Sequence, residues 1–403
     1  MSKNPVIFLV ISLASLPMIQ FLSRLYGIDG KVILLGIFSF LALFIYASRK
    51  LISDFIIESI YFKIVFYIYL IYELSILIRG LSLSQENIIT YLTSSIVLWP
   101  LIIPLFAFFK KDLTYFIILL KWIFYLGILF LLLILINPSL LLQRQTAESV
   151  IGLASSCGYI LLFSSFINKR KVNISFLIIF IALLSLTFLA RRSGMITLLG
   201  FIIASYLLSL NSNSKALLFR IIPLVAVFGM LILSGFNNVT SVIVEKLDER
   251  MTEDTRSELF EFFFYDMEDY MIFGKGMNGT YYCPVGGGIE EEGIVFAEIE
   301  HREVIENGYL QLLLTGGIVH VTLFFLVLFP AAILGILKSK NLFSKACGSI
   351  ILLWLIDMVA FGLPSLSMNY IFVWICVGMS YMASLRGKTD EEIRIEFQKN
   401  NFA

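Results

Sequence analysis

Arg191 and Arg192 stand side by side between two apolar runs. A guanidinium forks onto phosphate oxygens and keeps its charge when partly stripped of water, so an adjacent pair at the edge of an apolar run suits a phosphate-bearing substrate. Arg79 and Arg144 border other apolar runs, and Arg256 lies within the longest polar stretch. That stretch closes with Glu298-Ile299-Glu300-His301-Arg302-Glu303-Val304-Ile305-Glu306-Asn307-Gly308-Tyr309-Leu310. His301 sits between an acid and an arginine, where an imidazole can take or give a proton near neutral pH; Glu300 and Glu306 are alternatives for the same work. The plainer readings are salt bridges from these arginines to the acidic stretch, and an idle surface histidine.

The elements that must hold these groups follow from composition. Of 403 residues, 59% are hydrophobic and 15% charged, and mean hydropathy is +0.91. Soluble domains carry about 25% charge, so the chain is an all-α polytopic membrane bundle, because open sheets cannot satisfy their backbone in lipid. The net charge of +1 leaves no broad basic field for nucleic acid. Apolar runs at 5–22, 32–48, 56–78, 88–109, 114–136, 150–167, 173–190, 194–210, 217–235, 309–337, 346–362 and 367–385 predict about 12 transmembrane helices. The first run reads as a retained span rather than a cleaved signal. The tenth is long and is expected to divide near Gly317 into a short interfacial helix and a span. Cys157, Cys283, Cys347 and Cys376 are scattered and define neither a disulfide framework nor a metal site.

With the N-terminus in the cytoplasm, five inside loops hold 12 Lys and Arg, against 6 in the short outside loops. That is the expected bias. It puts both termini inside and leaves Arg24, Lys31, Arg79, Arg144, Arg191 and Arg192 outside. The chain divides into spans 1–235, an outer loop 236–306, and spans plus a cytoplasmic tail 307–403. From Glu245 to Glu306 the loop holds 17 acidic and five basic residues, a composition that repels anionic lipid. Residues 241–270 read as a helix whose aromatics lie on the bundle or the membrane interface. Gly274-Lys275-Gly276-Met277-Asn278-Gly279 fits a dinucleotide pattern but lacks the strand and βαβ unit around it, so it reads as a tight turn. Glu58, Lys63, Glu73, Lys121 and Asp357 are ionisable residues within spans. Glu73 is expected to orient Arg79, Asp357 to pair with a neighbour such as His320 or to relay protons, and His320 to be a buried, hydrogen-bonded core residue.

These residues resemble the O-antigen polymerase and ligase superfamily of membrane glycosyltransferases. Leu189-Ala190-Arg191-Arg192-Ser193-Gly194 is similar to its Arg-Arg-Ser-Gly signature. Arg256, followed by Phe273-Gly274-Lys275-Gly276, is similar to its outer-loop arginine and turn. His301, then Glu306-Asn307-Gly308-Tyr309-Leu310 and Thr315-Gly316-Gly317-Ile318, is similar to its histidine and Asn-x-Tyr-Leu segment. The resemblance covers the second half of the chain; the first half matches by hydropathy alone. Two departures stand out: five residues separate His301 from Asn307, and His320 replaces a glycine. The Glu-Asn form is closer to polymerases than to ligases.

The resemblance implies a GT-C-like helical bundle in the bacterial inner membrane, with a lateral opening for a polyprenyl chain and a periplasmic active site. The implied reaction moves an undecaprenyl-diphosphate-linked oligosaccharide onto a sugar hydroxyl of another such unit, without cofactor or metal, with a chain-length regulator as a candidate partner. In that scheme Arg192, with Arg191, and Arg256 meet the diphosphate, where charge grows in the transition state. Arg79 and Arg144 are secondary contacts, and His301 handles the acceptor proton. Glu300, Glu306, Asn307 and Tyr309 line the substrate, and Tyr281, Tyr282 and Tyr309 can stack on sugars or anchor at the interface. A ligase acting on lipid A core shares the mechanism. A flippase or ion-coupled transporter is the alternative of another class.

Overall fold

The computed structural model describes residues 4–26, 30–52, 58–136, 151–188, 192–210, 255–283, 290–291, 294–295, 301–360 and 362–402. Among them, six helices are long and apolar enough to cross a membrane: Ile33–Leu51, Ile60–Gly80, Leu113–Ile136, Lys169–Thr187, Gly308–Leu337 and Leu342–Ala360. Shorter apolar helices pack between them, including Gly194–Leu210 and Met368–Tyr381. The chain is an all-α membrane protein. Its run at 217–235 lies outside the described residues.

The elements used below are α1 (Asn4–Tyr26), α2 (Gly30–Leu51), α3 (Ile60–Gly80), α4 (Gln85–Thr93), α5 (Trp99–Ile102), α6 (Leu113–Ile136), α7 (Gly158–Leu162), α8 (Lys169–Phe188), α9 (Arg192–Leu210), α10 (Thr255–Asp266), α11 (Gly308–Leu337), α12 (Leu342–Ala360), α13 (Met368–Tyr381), α14 (Ala383–Arg386) and α15 (Asp390–Lys399). Among the described residues, four two-residue strands accompany them: β1 (Tyr281–Tyr282), β2 (Glu290–Glu291), β3 (Ile294–Val295) and β4 (His301–Arg302).

Helix α3 shows how the sequence sorts its faces. Ser59 caps it by accepting the Phe62 amide at 3.2 Å. Phe62, Phe66, Tyr69, Glu73 and Ile76 recur at helical spacing and are buried. Ile64, Ile68, Ile71, Leu74 and Ile78 lie on the other face and are exposed, as lipid-facing aliphatics should be. The buried face meets an aromatic core in which Tyr69 stacks on Trp374 at 5.6 Å and Phe324 packs edge-on to the same indole.

The run at 88–109 does not form one span. It divides into α4, α5 and a 3-10 turn at Ile103–Phe108. Pro100 and Pro104 each stand in the first turn of the piece they open, where a missing amide costs no internal bond. The run at 150–167 is likewise interrupted before α7. Helices α11 and α12 cross backbone to backbone: a Cβ on Gly335 would sit 2.7 Å from the Gly348 Cα. Such small-residue seams let helices approach closely in a bilayer.

The C-terminal segment folds back onto the bundle. A reciprocal Thr389–Glu392 capping box starts α15, and Ile393, Phe397 and Phe402 are buried. Asp390 accepts the Leu342 amide at 2.7 Å. Asn341 donates to the Leu385 and Lys388 carbonyls, both at 2.9 Å. At this end of the bundle Glu58 accepts from the Ser384 hydroxyl at 2.5 Å and from its amide at 3.0 Å.

Candidate functional site

Helix α11 breaks where the sequence predicts. Gly317 has φ 66° and ψ −169°, a conformation open to glycine and costly for other residues. The break orphans carbonyls before it and amides after it, and in a low-dielectric interior each needs a partner. Loop residues 271–276 supply most of them. Lys275 and Gly276 donate their amides to the Leu314 and Thr315 carbonyls at 2.8 and 2.9 Å, while Ile318 and Val319 donate to the Met271 and Ile272 carbonyls at 2.8 and 3.3 Å. The Tyr72 hydroxyl donates to the Gly316 carbonyl at 2.6 Å. The glycine-rich motif is thus a tight turn, with Gly274 at φ 67° and Gly276 at φ 93°. A Cβ on Gly274 would lie 2.5 Å from the Gly316 nitrogen.

The turn also meets the end of α3. Met277 donates its amide to the Ile76 carbonyl at 3.2 Å, and the Asn278 side-chain amide donates to the Gly80 carbonyl at 2.9 Å. Arg79 joins this bracket. Its Nη1 donates to the Phe273 and Gly274 carbonyls at 2.5 and 3.2 Å, and its Nε donates to the Ser75 carbonyl at 3.3 Å. Two of its three nitrogens therefore hold the protein's own backbone. Lys275 faces the other way, bonded to Asp266 at 2.5 Å and donating to the Thr280 carbonyl at 3.0 Å.

Beneath the break, the intramembrane acid and histidine meet. His320 Nε2 lies 3.1 Å from Glu73 Oε1, and the residues are 2% and 3% exposed. His320 is buried and hydrogen-bonded as expected, but Glu73 reaches it rather than Arg79, because Glu73 lies on the inward face of α3 and Arg79 lies at the rim. Asp357 pairs with the Thr197 hydroxyl, not with His320. This couples α12 to α9.

The loop around the turn has a small core of its own. Phe263, Met267, Tyr281, Cys283 and Ile305 pack onto Leu313 and Leu314 of α11. Tyr281 is thereby buried rather than offered to a sugar, and burial pushes its phenol up to about 12. Tyr282 remains exposed. It pairs with His301 across the β1–β4 ladder, and the two rings meet edge-on at 5.8 Å. His301 and Glu306 are both exposed. The described part of 241–270 is α10 and the 3-10 turn Glu268–Tyr270, with Phe263 inward and Phe264 outward. All four cysteines are buried, and none is in a disulfide.

Asn307 and Tyr309 build the neighbouring surface. Asn307 caps α11, its Oδ1 accepting the Tyr309 and Leu310 amides at 3.0 and 3.1 Å, while its Nδ2 donates to the Val359 carbonyl at 2.9 Å. The Tyr309 hydroxyl donates to the Leu355 carbonyl at 2.5 Å, and its ring stacks on Phe325 at 5.2 Å. Behind that ring runs an apolar groove of about 450 Å³, lined by Ile196, Tyr309, Phe325, Phe329, Leu355 and Val359 among others. Helices α8 and α9 pack as a hairpin: a Cβ on Gly194 would meet Leu186 at 2.8 Å, and Thr187 Oγ1 lies 4.0 Å from Met195 Sδ. Arg192 is therefore at the hairpin tip, one turn before Ile196. Arg144, Arg191 and Glu300 lie outside the described residues, as do the side chains of Arg192 and Arg256.

The structure thus places Tyr309 in the groove wall, Asn307 at the helix cap bonded to the Val359 carbonyl beside it, and the Arg192 backbone one turn from the groove residue Ile196, and it brings Arg79 to the loop turn. His301 stands on the loop module that this turn secures. Sequence reasoning did not foresee the Glu73–His320 pair or the brace from Tyr72. The usable signal was the spacing of Tyr69, Glu73 and Ile76 on one face of α3. No family model matches the chain, and no curated protein matches it.

Proposed function

We propose that the chain is a metal-independent membrane glycosyltransferase that takes glycan from a polyprenyl diphosphate and adds it to a sugar hydroxyl of another lipid-linked unit, as a surface-polysaccharide polymerase. The observation that carries this reading is the apolar groove between Ile196, one turn after Arg192, and Tyr309. It seats a long hydrocarbon chain in this reading. In this reading about twelve helices form a GT-C-like bundle, both termini are cytoplasmic, and loop 236–306 is periplasmic.

The reaction breaks the bond between the anomeric carbon and a phosphate oxygen and forms one to the acceptor oxygen. The electron pair leaves with the diphosphate, and the acceptor loses its proton. Arg192 and Arg256 meet the charge that accumulates on the leaving group, which favours the transition state over the ground state. His301, exposed beside Tyr282, takes or orients the acceptor proton. Asn307 and Tyr309 act through position: they fix the wall of the groove.

The test is surface-polysaccharide display in cells carrying Arg192→Ala, Arg256→Ala or His301→Ala. A polymerase predicts loss of long chains with single repeats still displayed. A ligase predicts long glycan stranded on its lipid carrier. Unchanged long-chain ladders in the arginine variants overturn both readings. Purified protein that moves lipid-linked sugar across liposomes without elongating it supports a transporter instead.

A further inference from the structure

Immediately before the glycine turn, Ile272 and Phe273 are each 59% exposed, although their backbone carbonyls are held inward. Phe273 accepts from Arg79 and Ile272 accepts from Val319. Both anchors mark a level in the bilayer. Arg79 is at the end of α3, and residues 318–337 of α11 begin their span beside Ile272. At about 1.5 Å per residue that span covers about 30 Å, the thickness of a hydrocarbon core. Ile272 and Phe273 are therefore level with one end of that span. Ile78 beside Arg79, and Ile318, whose amide bonds the Met271 carbonyl, are exposed like them. Tyr270, also exposed, stands between them and the acidic pair Glu268 and Asp269.

We propose that residues 270–273 form a wedge seated in the lipid headgroup layer, which holds the loop module down on the membrane surface. Apolar and aromatic side chains at this depth gain from the interface, where one end of a tyrosine is dry and the other wet. The neighbouring Glu261, Glu268 and Asp269 are exposed, so the wedge suits zwitterionic headgroups and is opposed by anionic ones. The proposal is independent of the reaction assigned above.

The test uses the full chain in phosphatidylcholine nanodiscs, with nitroxide-labelled cysteine placed singly by Ile272→Cys, Phe273→Cys, Glu268→Cys and Leu74→Cys. The unsubstituted protein supplies the background from its buried cysteines. Collisions with oxygen are compared with collisions with a water-soluble nickel chelate. The labels at 272 and 273 are expected to favour oxygen, at a depth shallower than position 74, while position 268 favours nickel. Nickel access at 272 and 273 equal to that at 268 overturns the wedge, because the segment then stands in water. Shielding from both reagents also overturns it, because protein then covers the segment. Phe273→Trp gives a check without cysteine: its added emission should be quenched by lipids brominated near the headgroup and unchanged by those brominated near the chain end. The reverse pattern, or no quenching by either, counts against the wedge.

Discussion

Glu73 and His320 share one buried contact, and each is left exposed to the low dielectric if the other is removed. Truncating His320 to Ala strands a carboxyl whose second oxygen, Oε2, already has no hydrogen-bond partner among the described residues. An unsatisfied buried polar group costs about 1–3 kcal/mol. We expect His320→Ala to lower the unfolding temperature in detergent, and Glu73→Ala/His320→Ala together to lower it less than the two single losses added. Additive losses would show that the pair is not coupled. At the opposite end of the bundle, Glu58 responds to competing influences. Burial raises its carboxyl, but the hydrogen bonds from Ser384 and the Lys111 charge outweigh that and leave it below the ordinary range. A lowered folded value contributes stability above the unfolded pKa and loses it as pH falls through the folded one. The contact to Ser384 is therefore expected to hold at neutral pH and weaken in acid, and Glu58→Gln to flatten that dependence in a thermal melt taken across pH 3 to 7.

At the level of elements, the break in α11 is the feature that positions the loop. Gly317→Ala would adopt a left-handed backbone and set its Cβ 2.2 Å from the Ile272 carbonyl oxygen. Strain of this kind costs about 1–3 kcal/mol, apart from the clash. We expect faster proteolysis of the loop in Gly317→Ala, and expect Gly152→Ala, where a Cβ meets nothing within 4 Å, to leave the digestion pattern unchanged. Equal rates would deny that the break secures the loop. The break itself was legible in the sequence, because Thr315-Gly316-Gly317 interrupts an apolar run too long for one span. The tight turn was legible from Gly274 and Gly276. Their meeting was not, since it depends on backbone hydrogen bonds between segments some forty residues apart, and such pairing leaves no mark on side-chain pattern. For the same reason Arg79 reads in sequence as a phosphate contact, while in the structure it grips carbonyls. The 88–109 run shows another limit: hydropathy averages over Pro100 and Pro104, which divide it. Asn307 and Tyr309 were identified by resemblance, and the structure gives them a local physical role as a helix cap and a groove wall.

For the whole molecule, the deciding quantity is topology. Buried and half-buried contacts bind the segment from α14 to Phe402 to the bundle, including Asn341 to the Leu385 and Lys388 carbonyls, Asp390 to the Leu342 amide, Phe397 to Phe166, and Lys171 to the Phe402 carbonyl at 3.2 Å. Membrane-impermeant thiol reagents applied to intact cells are expected to reach a cysteine placed at Ser193 and to miss one placed at Lys388. The opposite pattern would put the arginine pair in the cell interior and end the proposed reaction. Oriented as proposed, the molecule has a closed end, sealed by α15 on the side rich in Lys and Arg, and an end where the loop module, the groove and the arginine hairpin meet.

The backbone bonding of turn residues 271–276 into the interrupted helix has a practical consequence for protein engineers. The loop cannot be exchanged between related chains as a cassette cut at its own borders. A chimera must also carry Tyr72, Arg79 and the Thr315–Val319 segment from the same parent, since those are the groups to which the incoming backbone bonds. Grafts that respect that boundary should insert and fold, while grafts cut at residues 255 and 306 would bring a foreign turn against an unmatched helix gap.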